Sequence, residues 1–161
     1  MRNTLIKFLS IVSLGFLTLA CAPKTYKHNE ARFIFLKTPQ IKFADLGYIR
    51  HTKDEVKVEL FSVGQLVQSI EINTLICVDE GCISKSSFNE DYLCKYYPDN
   101  LLRNVLLGKP IFSKVSLQRT KTGFIQKLKS DRYNIVYKVD NKNISFKDKQ
   151  NHFLIKIETI R

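Results

Sequence analysis

The chain has 161 residues, of which 44% are hydrophobic and 25% are charged, and its formal net charge is +11. This length allows one domain with a hydrophobic core and is short for two, and the composition is that of an ordinary globular protein. The positive charge indicates a negatively charged neighbourhood, which can be membrane headgroups, nucleic acid or an acidic partner.

Residues 1–20 have the pattern of a secretory signal peptide. Arg2 and Lys7 form a short positive segment, and an uncharged apolar run then extends to the residue before Cys21. The run is shorter than the roughly 20 apolar residues that a transmembrane helix needs. Its end resembles a bacterial lipobox, in which the cysteine receives diacylglycerol and palmitate, although a threonine stands where that pattern prefers Leu, Val or Ile. We therefore predict that Cys21 is lipidated, with ordinary signal cleavage and a soluble secreted protein as the alternative.

The residue after the cysteine predicts the membrane that carries the anchor. Ala22 stands where an aspartate would retain a lipoprotein at the inner membrane, so we expect the outer membrane of a bacterial cell envelope, facing the periplasm. Such a chain does not meet nucleic acid. Residues 21–30 read as a polar tether that joins the anchor to a single β-rich domain at residues 31–161.

Removal of the signal peptide leaves a mature charge of +9, because +11 loses the charges of Arg2 and Lys7. A Lys or Arg near anionic lipid contributes about 1 kcal/mol to surface binding. A basic surface close to the membrane is one interpretation of this charge, and a solvated lysine-rich face of a sheet is an equally good one.

The first half of the domain alternates between apolar and polar residues, as strands do. Residues 31–36 and 41–51 are predicted strands, and Gly47 predicts a bulge or bend within the second. Residues 55–73 predict a hairpin that turns at Gly64. The apolar positions on one face of this hairpin are Val56, Val58, Leu60, Ile70 and Ile72.

Three cysteines follow Cys21, and the expected compartment is oxidising. A turn of four residues between Cys77 and Cys82 would let the two sulfurs meet across a hairpin, so we predict this disulfide and leave Cys94 unpaired and buried on a helical face. The three histidines are scattered, and the sequence has no CxxC or HxxxH motif. We therefore predict no metal site and no cofactor.

A change to helical periodicity follows the predicted disulfide. Ser87 lies three residues before Glu90, which is the spacing of a capping box and predicts a first short helix. A second helix is predicted with Asp99 or Asn100 as N-cap and Gly108 at the position after its end. Its continuous apolar stripe consists of Leu101, Leu102, Val105 and Leu106. A helix of roughly nine residues is unstable alone in water, so the stripe must dock on another element.

Strand-like alternation returns after Ile111 and continues to the end of the chain. Its apolar positions include Tyr133, Ile135, Tyr137, Phe146 and Ile155. About eight strands with one apolar face predict a mainly β fold with short helices, either as a curved antiparallel sheet or as an incomplete barrel, with the two central helices across its apolar face. The alternative is an immunoglobulin-like β-sandwich with a helical insertion.

The layout resembles that of the LolA/LolB group of periplasmic lipoprotein carriers and receptors. The stretches that carry the resemblance are "IKFADLGYIR", "VKVELFSVGQLVQSIEI", "NLLRNVLLGKPI" and "GFIQKLKSDRYNIVYKVDNKNISFKDKQNHFLIKIETI". The resemblance implies a curved, incompletely closed sheet with helices that plug an apolar cavity for the acyl chains of lipoproteins. The chain departs from the group in lacking an identifiable amphipathic helix before its first strand.

Two functional hypotheses follow. In the first, a lipid-anchored envelope protein accepts acyl chains, or lipoproteins that carry them, in an apolar cavity under the second helix. The candidate cavity and lid residues are Val58, Leu60, Leu101, Leu102, Val105, Leu106, Tyr137 and Phe146. In the second, the chain is a structural or protein-interaction lipoprotein that binds envelope proteins and has a closed core without a ligand. The sequence has no nucleophile elbow, P-loop, HExxH motif or paired carboxylates, so we predict no catalytic residues and no enzyme.

Overall fold

A computed structural model describes residue 26 and residues 28–39 and 42–160 of the chain. The predicted signal peptide and Cys21 lie outside these residues. The strands are β1 (His28–Lys37), β2 (Lys42–His51), β3 (Val56–Ser62), β4 (Gln65–Ile72), β5 (Ile76–Val78), β6 (Gly81–Ile83), β7 (Leu117–Arg119), β8 (Gly123–Lys129), β9 (Asn134–Asp140), β10 (Asn143–Asp148) and β11 (Phe153–Thr159). Two helices, α1 (Lys85–Tyr92) and α2 (Leu101–Leu106), and a 3₁₀ turn at Phe112–Lys114 separate β6 from β7.

The eleven strands form one antiparallel sheet in the order β6-β5-β4-β3-β2-β1-β11-β10-β9-β8-β7. This confirms a mainly β fold with short helices. The sheet does not close, because β6 and β7 form its two edges. The described strands belong to one sheet, whereas the sandwich alternative requires two. The first strand lies at the centre of the sheet and pairs with β2 on one side and with the last strand on the other.

The alternating pattern gives the sheet one buried and one exposed face. We call the buried face the inner face. Cross-strand register aligns its side chains from strand to strand: Val56 opposes Ile72, Ile144 opposes Ile157, and Phe146 opposes both Tyr137 and Ile155. Because residues two apart on a strand share a face, the opposite outer face carries the lysine positions that alternate with them. The hydrophobic core contains side chains of the inner face together with buried residues of the segment that contains both helices.

The predicted bulge at Gly47 is wrong. β2 pairs with β1 in continuous register over its whole length, and the irregularity of the sheet lies between Leu60 and Phe61 of β3. Glycine is needed at position 47 for a different reason. A Cβ atom there would lie 2.6 Å from Ile34 Cδ1 and 2.9 Å from the carbonyl oxygen of Glu59. The close approach of β1 and β3 to β2 explains the glycine.

The cap of α1 also differs from the prediction. The N-cap is Ser84, whose hydroxyl accepts a hydrogen bond of 3.0 Å from the backbone N–H of Ser87. The predicted pair of Ser87 and Glu90 has the right spacing but starts three residues too late, inside the helix. Cys94 is buried as predicted, but it follows the end of α1 rather than lying on a helix.

The ends of α2 agree with the sequence. Asn100 is the N-cap residue, although its side chain makes no capping hydrogen bond, and Gly108 follows the C-cap with a φ of +62°. That left-handed conformation favours glycine. The helix has only six residues, so it owes its stability to packing, and all four members of its predicted stripe are buried.

Candidate functional site on the inner face

One half of the inner face, formed by β8 to β11, is filled by aromatic side chains. Phe146 is central among them: its ring centroid lies 5.2 Å from that of Phe153, 6.0 Å from that of Tyr137 and 6.2 Å from that of Tyr97. Phe124 adds an edge-to-face contact of 5.4 Å with Tyr137. These rings are almost completely buried, so this half of the inner face is a filled core.

The segment that begins with α2 is fixed to this aromatic half by polar contacts. The Tyr137 hydroxyl donates to the carbonyl of Lys109 at 3.1 Å, and burial raises its pKa above the ordinary value. The buried amide of Gln126 accepts from the N–H of Ile111 at 2.8 Å and donates to its carbonyl at 3.0 Å. A Cβ atom at Gly108 would lie in ordinary van der Waals contact with Val139 and Ile144, 3.6 Å from each. These contacts hold residues 108–111, just after the C-terminal end of α2, against the aromatic half.

A buried carboxylate holds the segment between the two helices. Asp148 Oδ2 accepts a 2.6 Å hydrogen bond from the Tyr97 hydroxyl and a 2.7 Å bond from Asn151 Nδ2, and Oδ1 accepts from the N–H groups of Asn134 and Gln150. Burial alone would raise the pKa of Asp148, but these hydrogen bonds outweigh it and lower the pKa. Burial raises the pKa of Tyr97 well above the ordinary value, and the hydrogen bond to Asp148 raises it further. The pair is therefore an ionised carboxylate and a neutral phenol.

The other half of the inner face, formed by β1 to β4, contains an apolar pocket of about 400 Å³ beside α1. We call it the α1 pocket. Its walls are aliphatic and aromatic, and its polar members are confined to a lysine, a glutamine and a glutamate. The lining consists of Leu36, Lys42, Phe43, Leu60, Val67, Gln68, Ile70, Val78, Glu80, Phe88 and Tyr92. Volume and lining match those of sites for small apolar ligands, which span about 300–1,000 Å³.

The α1 pocket has a helical wall and an apolar rim. Phe88 and Tyr92 stack at 4.8 Å on one side of α1, the first buried and the second partly exposed. Three exposed apolar residues lie nearby, Val63 at the turn between β3 and β4, and Leu66 and Val67 at the start of β4; Val67 also lines the pocket. The apolar surface therefore continues from the pocket to the outside of the molecule.

A second pocket of about 290 Å³ lies at the opposite end of the inner face, beside the end of α2. Its apolar floor meets charged residues of β1: Arg32 is buried, donates to Thr159 Oγ1 at 2.8 Å and pairs with Glu30. The hydrogen bond from Arg32 lowers the pKa of Glu30. Lys142 Nζ lies 3.5 Å from the other oxygen of Glu30. The charges of this pocket therefore largely satisfy one another.

A histidine pair contributes to this second pocket, because His51 is part of its lining. His28 and His51 oppose each other in the β1–β2 register, and their rings stack at 4.4 Å. Burial lowers the pKa of His51 below its ordinary value. Sequence reasoning treated these histidines as scattered, because their 23-residue separation hides the pairing and only the register of β1 with β2 reveals it. In the described residues no group of three or more His, Cys, Asp or Glu side chains is arranged to hold a metal ion.

The predicted site residues occupy three environments. Leu60 lines the α1 pocket and Leu106 lines the second pocket, whereas the other predicted cavity or lid residues lie in neither lining. Those six, all buried in the core, are Val58, Leu101, Leu102, Val105, Tyr137 and Phe146. Sequence reasoning missed Phe88, Tyr92 and Leu36, whose common pocket depends on packing between elements distant in sequence.

The predicted disulfide between Cys77 and Cys82 is confirmed. The two residues oppose each other in the β5–β6 hairpin with a Cα–Cα distance of 4.0 Å. Their neighbours Ile76 and Ile83 belong to the inner face, so the disulfide lies on the outer face of the edge strands. It lies outside the lining of the α1 pocket and links the paired edge strands β5 and β6.

The comparisons with known proteins assign no family. No protein-family model matches the chain, and no curated protein matches it significantly. Within the part of the chain that the structure describes, no helix is both long and apolar enough to cross a membrane.

Proposed function

We propose that this chain is a lipid-anchored protein of the bacterial outer membrane, facing the periplasm, that accepts single acyl chains in the α1 pocket, in the manner of the LolA/LolB group. The observation that carries the proposal is the apolar pocket of about 400 Å³ between β1–β4 and α1. The lipid anchor at Cys21 and the resemblance to that group remain part of the proposal.

The open sheet supports this function. A closed barrel of small size fills its interior with side chains, whereas this sheet has two edges, and only one half of its inner face is filled by aromatic rings. The helices on the inner side leave the other half with a pocket, and α1 forms one wall of it. Two helices across the apolar face, as first expected, thus take different roles in this proposal: α2 belongs to the core, and α1 is the gate.

The physical chemistry of the pocket favours an alkyl chain over a polar ligand. Each CH₂ group removed from water contributes about 0.8 kcal/mol. A headgroup could remain outside, near Lys42 and the polar rim, while the chain packs against Leu60, Ile70 and Phe88. The volume limits the pocket to one chain at a time unless α1 moves.

A structural or protein-interaction lipoprotein is the second candidate. It accounts for the complete burial of Leu101, Val105 and Phe146 without a ligand, because these residues form a filled core. Both candidates share this core, and they differ in the occupancy of the α1 pocket.

Native mass spectrometry of the full mature chain, gently extracted from its host envelope, tests the proposal. We expect a mass increment of one fatty acyl species that disappears in the denaturing spectrum, because it is bound without a covalent bond. The covalent lipid at Cys21 remains in both spectra and is thereby distinguished. A chain whose native and denatured masses agree contradicts the acyl-binding proposal and favours the structural alternative.

A pair of matched variants sharpens this test. Ile70→Phe adds bulk inside the α1 pocket, whereas Val136→Phe adds it to an exposed position on the outer face. We expect the first variant to lose most of the noncovalent increment and the second to retain it. Equal occupancy in the two variants would place the acyl species outside the α1 pocket.

A further inference from the structure

Lysines on the outer face align across the central strands. One cross-strand row runs through six strands, from β8 to β2, and consists of Lys127, Val136, Lys147, Leu154, Lys37 and Lys42. The next row consists of Ile125, Lys138, Ser145, Lys156, Phe35 and Ala44. Neither row contains an acidic residue. We call the six lysines of these rows the basic face; all six are exposed, and Val136, Leu154 and Phe35 lie between them.

The basic face has few partners within the protein. In the described part of the chain, Lys138 forms an ion pair with Asp140 at 3.1 Å, and the other five lysines have no carboxylate within 4 Å. On strands β2 to β4 the outer-face charges pair with one another: Lys57 pairs with Glu71 at 3.1 Å, and Arg50 pairs with Glu59 at the same distance. The excess positive charge is therefore local to the strands from β8 to β2.

Two shallow cavities at one edge of the basic face can receive a small anionic group. One of about 350 Å³ is bordered by Lys37, Lys147, Lys149 and His152, with Leu154 at its side. Its only carboxylate, that of Asp148, is held by Tyr97 and the neighbouring N–H groups. The other, of about 310 Å³, lies between Lys37 and Lys42. Lysines beside apolar side chains suit a phosphate group attached to a hydrocarbon.

The N-terminal segment determines how this face can meet a bilayer. The Tyr26 hydroxyl donates to Glu55 Oε1 at 2.8 Å, which fixes the start of the domain at the turn between β2 and β3. Four residues lie between Cys21 and Tyr26, so five residue-to-residue steps place an anchor there at most about 18 Å away. Lys37 and His28 are the two ends of β1, and the nine residue steps between them span about 30 Å. A domain standing on its Lys37 end would be out of reach of the anchor, whereas a domain lying on its outer face brings anchor and lysines to the same surface.

We propose that the outer face, through its basic face and the cavity at Lys37, Lys147, Lys149 and His152, docks on the phosphate groups of an anionic phospholipid bilayer. The strands then lie parallel to the membrane. Lys42, which also lines the α1 pocket, holds the pocket mouth at the level of the headgroups. This inference rests on the lipid anchorage in the proposed function, and it does not depend on whether the pocket holds an acyl chain.

Covalent labelling of lysines tests the docking. The full mature chain is reconstituted in vesicles of neutral phosphatidylcholine or of phosphatidylcholine with phosphatidylglycerol, and an amine reagent is applied before peptide mass spectrometry. We expect slower labelling of the basic face in the anionic vesicles only, and faster labelling again at high salt. Lys95, Lys109 and Lys121, which are exposed outside the basic face, should react equally in both.

Matched triple variants complete the experiment. Lys37→Gln with Lys147→Gln and Lys149→Gln should lose the charge-dependent protection of Lys127 and Lys156, because each removed lysine lowers the docked population about fivefold. Lys95→Gln with Lys109→Gln and Lys121→Gln should retain it. The proposal is overturned if the lysines of the basic face are labelled at the same rate in neutral and in anionic vesicles. Protection by soluble polyglutamate in neutral vesicles, without protection by anionic lipid, overturns it in favour of an acidic protein partner.

Failure of this inference is distinguishable from failure of the proposed function. Acyl occupancy is measured as a noncovalent mass increment, and docking is measured as a labelling rate. A chain that carries an acyl group but shows no lipid-dependent protection retains the acyl-binding function and loses the docking surface. A protected chain without the increment shows the reverse.

Discussion

At the scale of single residues, polar groups of the inner face hold the helical segment in place by hydrogen bonds. Asp148 accepts hydrogen bonds from Tyr97, Asn134, Gln150 and Asn151 although it is buried. A buried carboxylate is stable only with such partners. Its donors come from the first residue of β9, from the β10–β11 connection and from the link between the two helices, so one side chain joins three parts of the chain.

Asp148→Asn should lower the free energy of unfolding by about 2–3 kcal/mol, because hydrogen bonds to a charged group contribute about 1.5–3 kcal/mol and the amide presents the wrong group to at least one donor. Denaturant unfolding at neutral pH measures the loss. Asp54→Asn, at an exposed turn, is the matched control and should change the stability little. A similar loss in both variants would show that the hydrogen bonds of Asp148 contribute no more to the free energy of unfolding than an exposed aspartate does.

The same carboxylate predicts the direction of a pH effect. The pKa of Asp148 is lower in the folded protein than the unfolded value of about 3.9. Its contribution is therefore fully present above about pH 4 and is lost as the pH falls through the folded pKa. Between neutral pH and this region, wild type and Asp148→Asn should differ by a constant amount, and below it their unfolding free energies should converge. A difference that persists in strong acid would contradict this.

At the scale of secondary-structure elements, α1 and α2 differ in what they cover. The stripe of α2 is buried, and α2 contacts β10 of the aromatic half, whereas Phe88 and Tyr92 of α1 line a pocket. Leu101→Ala should lower the free energy of unfolding by about 3 kcal/mol, as for other fully buried leucines. Leu107→Ala, at a half-buried position in the same segment, should cost clearly less in the same denaturant titration.

A substitution in α1, the proposed gate, should affect acyl binding more than stability. Tyr92→Ala removes a partly exposed ring from the wall of the α1 pocket, so its cost in stability should be below that of Leu101→Ala, while the noncovalent acyl increment in native spectra should fall. Leu101→Ala, examined well below its melting temperature, should keep the increment. A reversal of these two effects would make α2 the lid, as the sequence first suggested.

Elements that depend on local pattern were predictable from the sequence, and those that depend on pairing were not. Alternation predicted the strands, and the turn between Cys77 and Cys82 predicted the disulfide, because both follow from neighbours along the chain. The role of Gly47 depends on Ile34 and Glu59 in adjacent strands. The α1 pocket brings residues of β1 to β5 together with α1, and the basic face requires the order of the sheet, in which β11 lies between β1 and β10.

The helix caps show the same limit at short range. Ser84 lies three residues before Ser87, and Ser87 lies three residues before Glu90. Only the backbone geometry identifies Ser84 as the true N-cap. The position of Gly108 was predictable because a single conformational requirement, a positive φ after a helix, favours glycine there. Local rules therefore fixed the end of α2 and left the start of α1 open by three residues.

At the scale of the whole molecule, the sheet joins the two ends of the domain at its centre and leaves two short edges. β1 has a partner on each side, and its ladder with β2 spans ten residue pairs. β6 and β7 have three residues each and one partner each. They differ in one respect: the disulfide ties β6 to β5, and nothing covalent ties β7 to β8.

This asymmetry predicts a specific order of hydrogen exchange. Amides of β1 should exchange slowest, those of β7 fastest, and those of β6 between them, because the crosslink removes about 2 kcal/mol of chain entropy from the opened hairpin. In the double variant Cys77→Ser with Cys82→Ser, β6 should exchange about 30-fold faster, and β7 should be unchanged as an internal control. Native-state exchange with mass spectrometry measures all three strands together. If β6 and β7 accelerate equally, the disulfide stabilises the whole sheet rather than its own edge, and the two edges do not open independently.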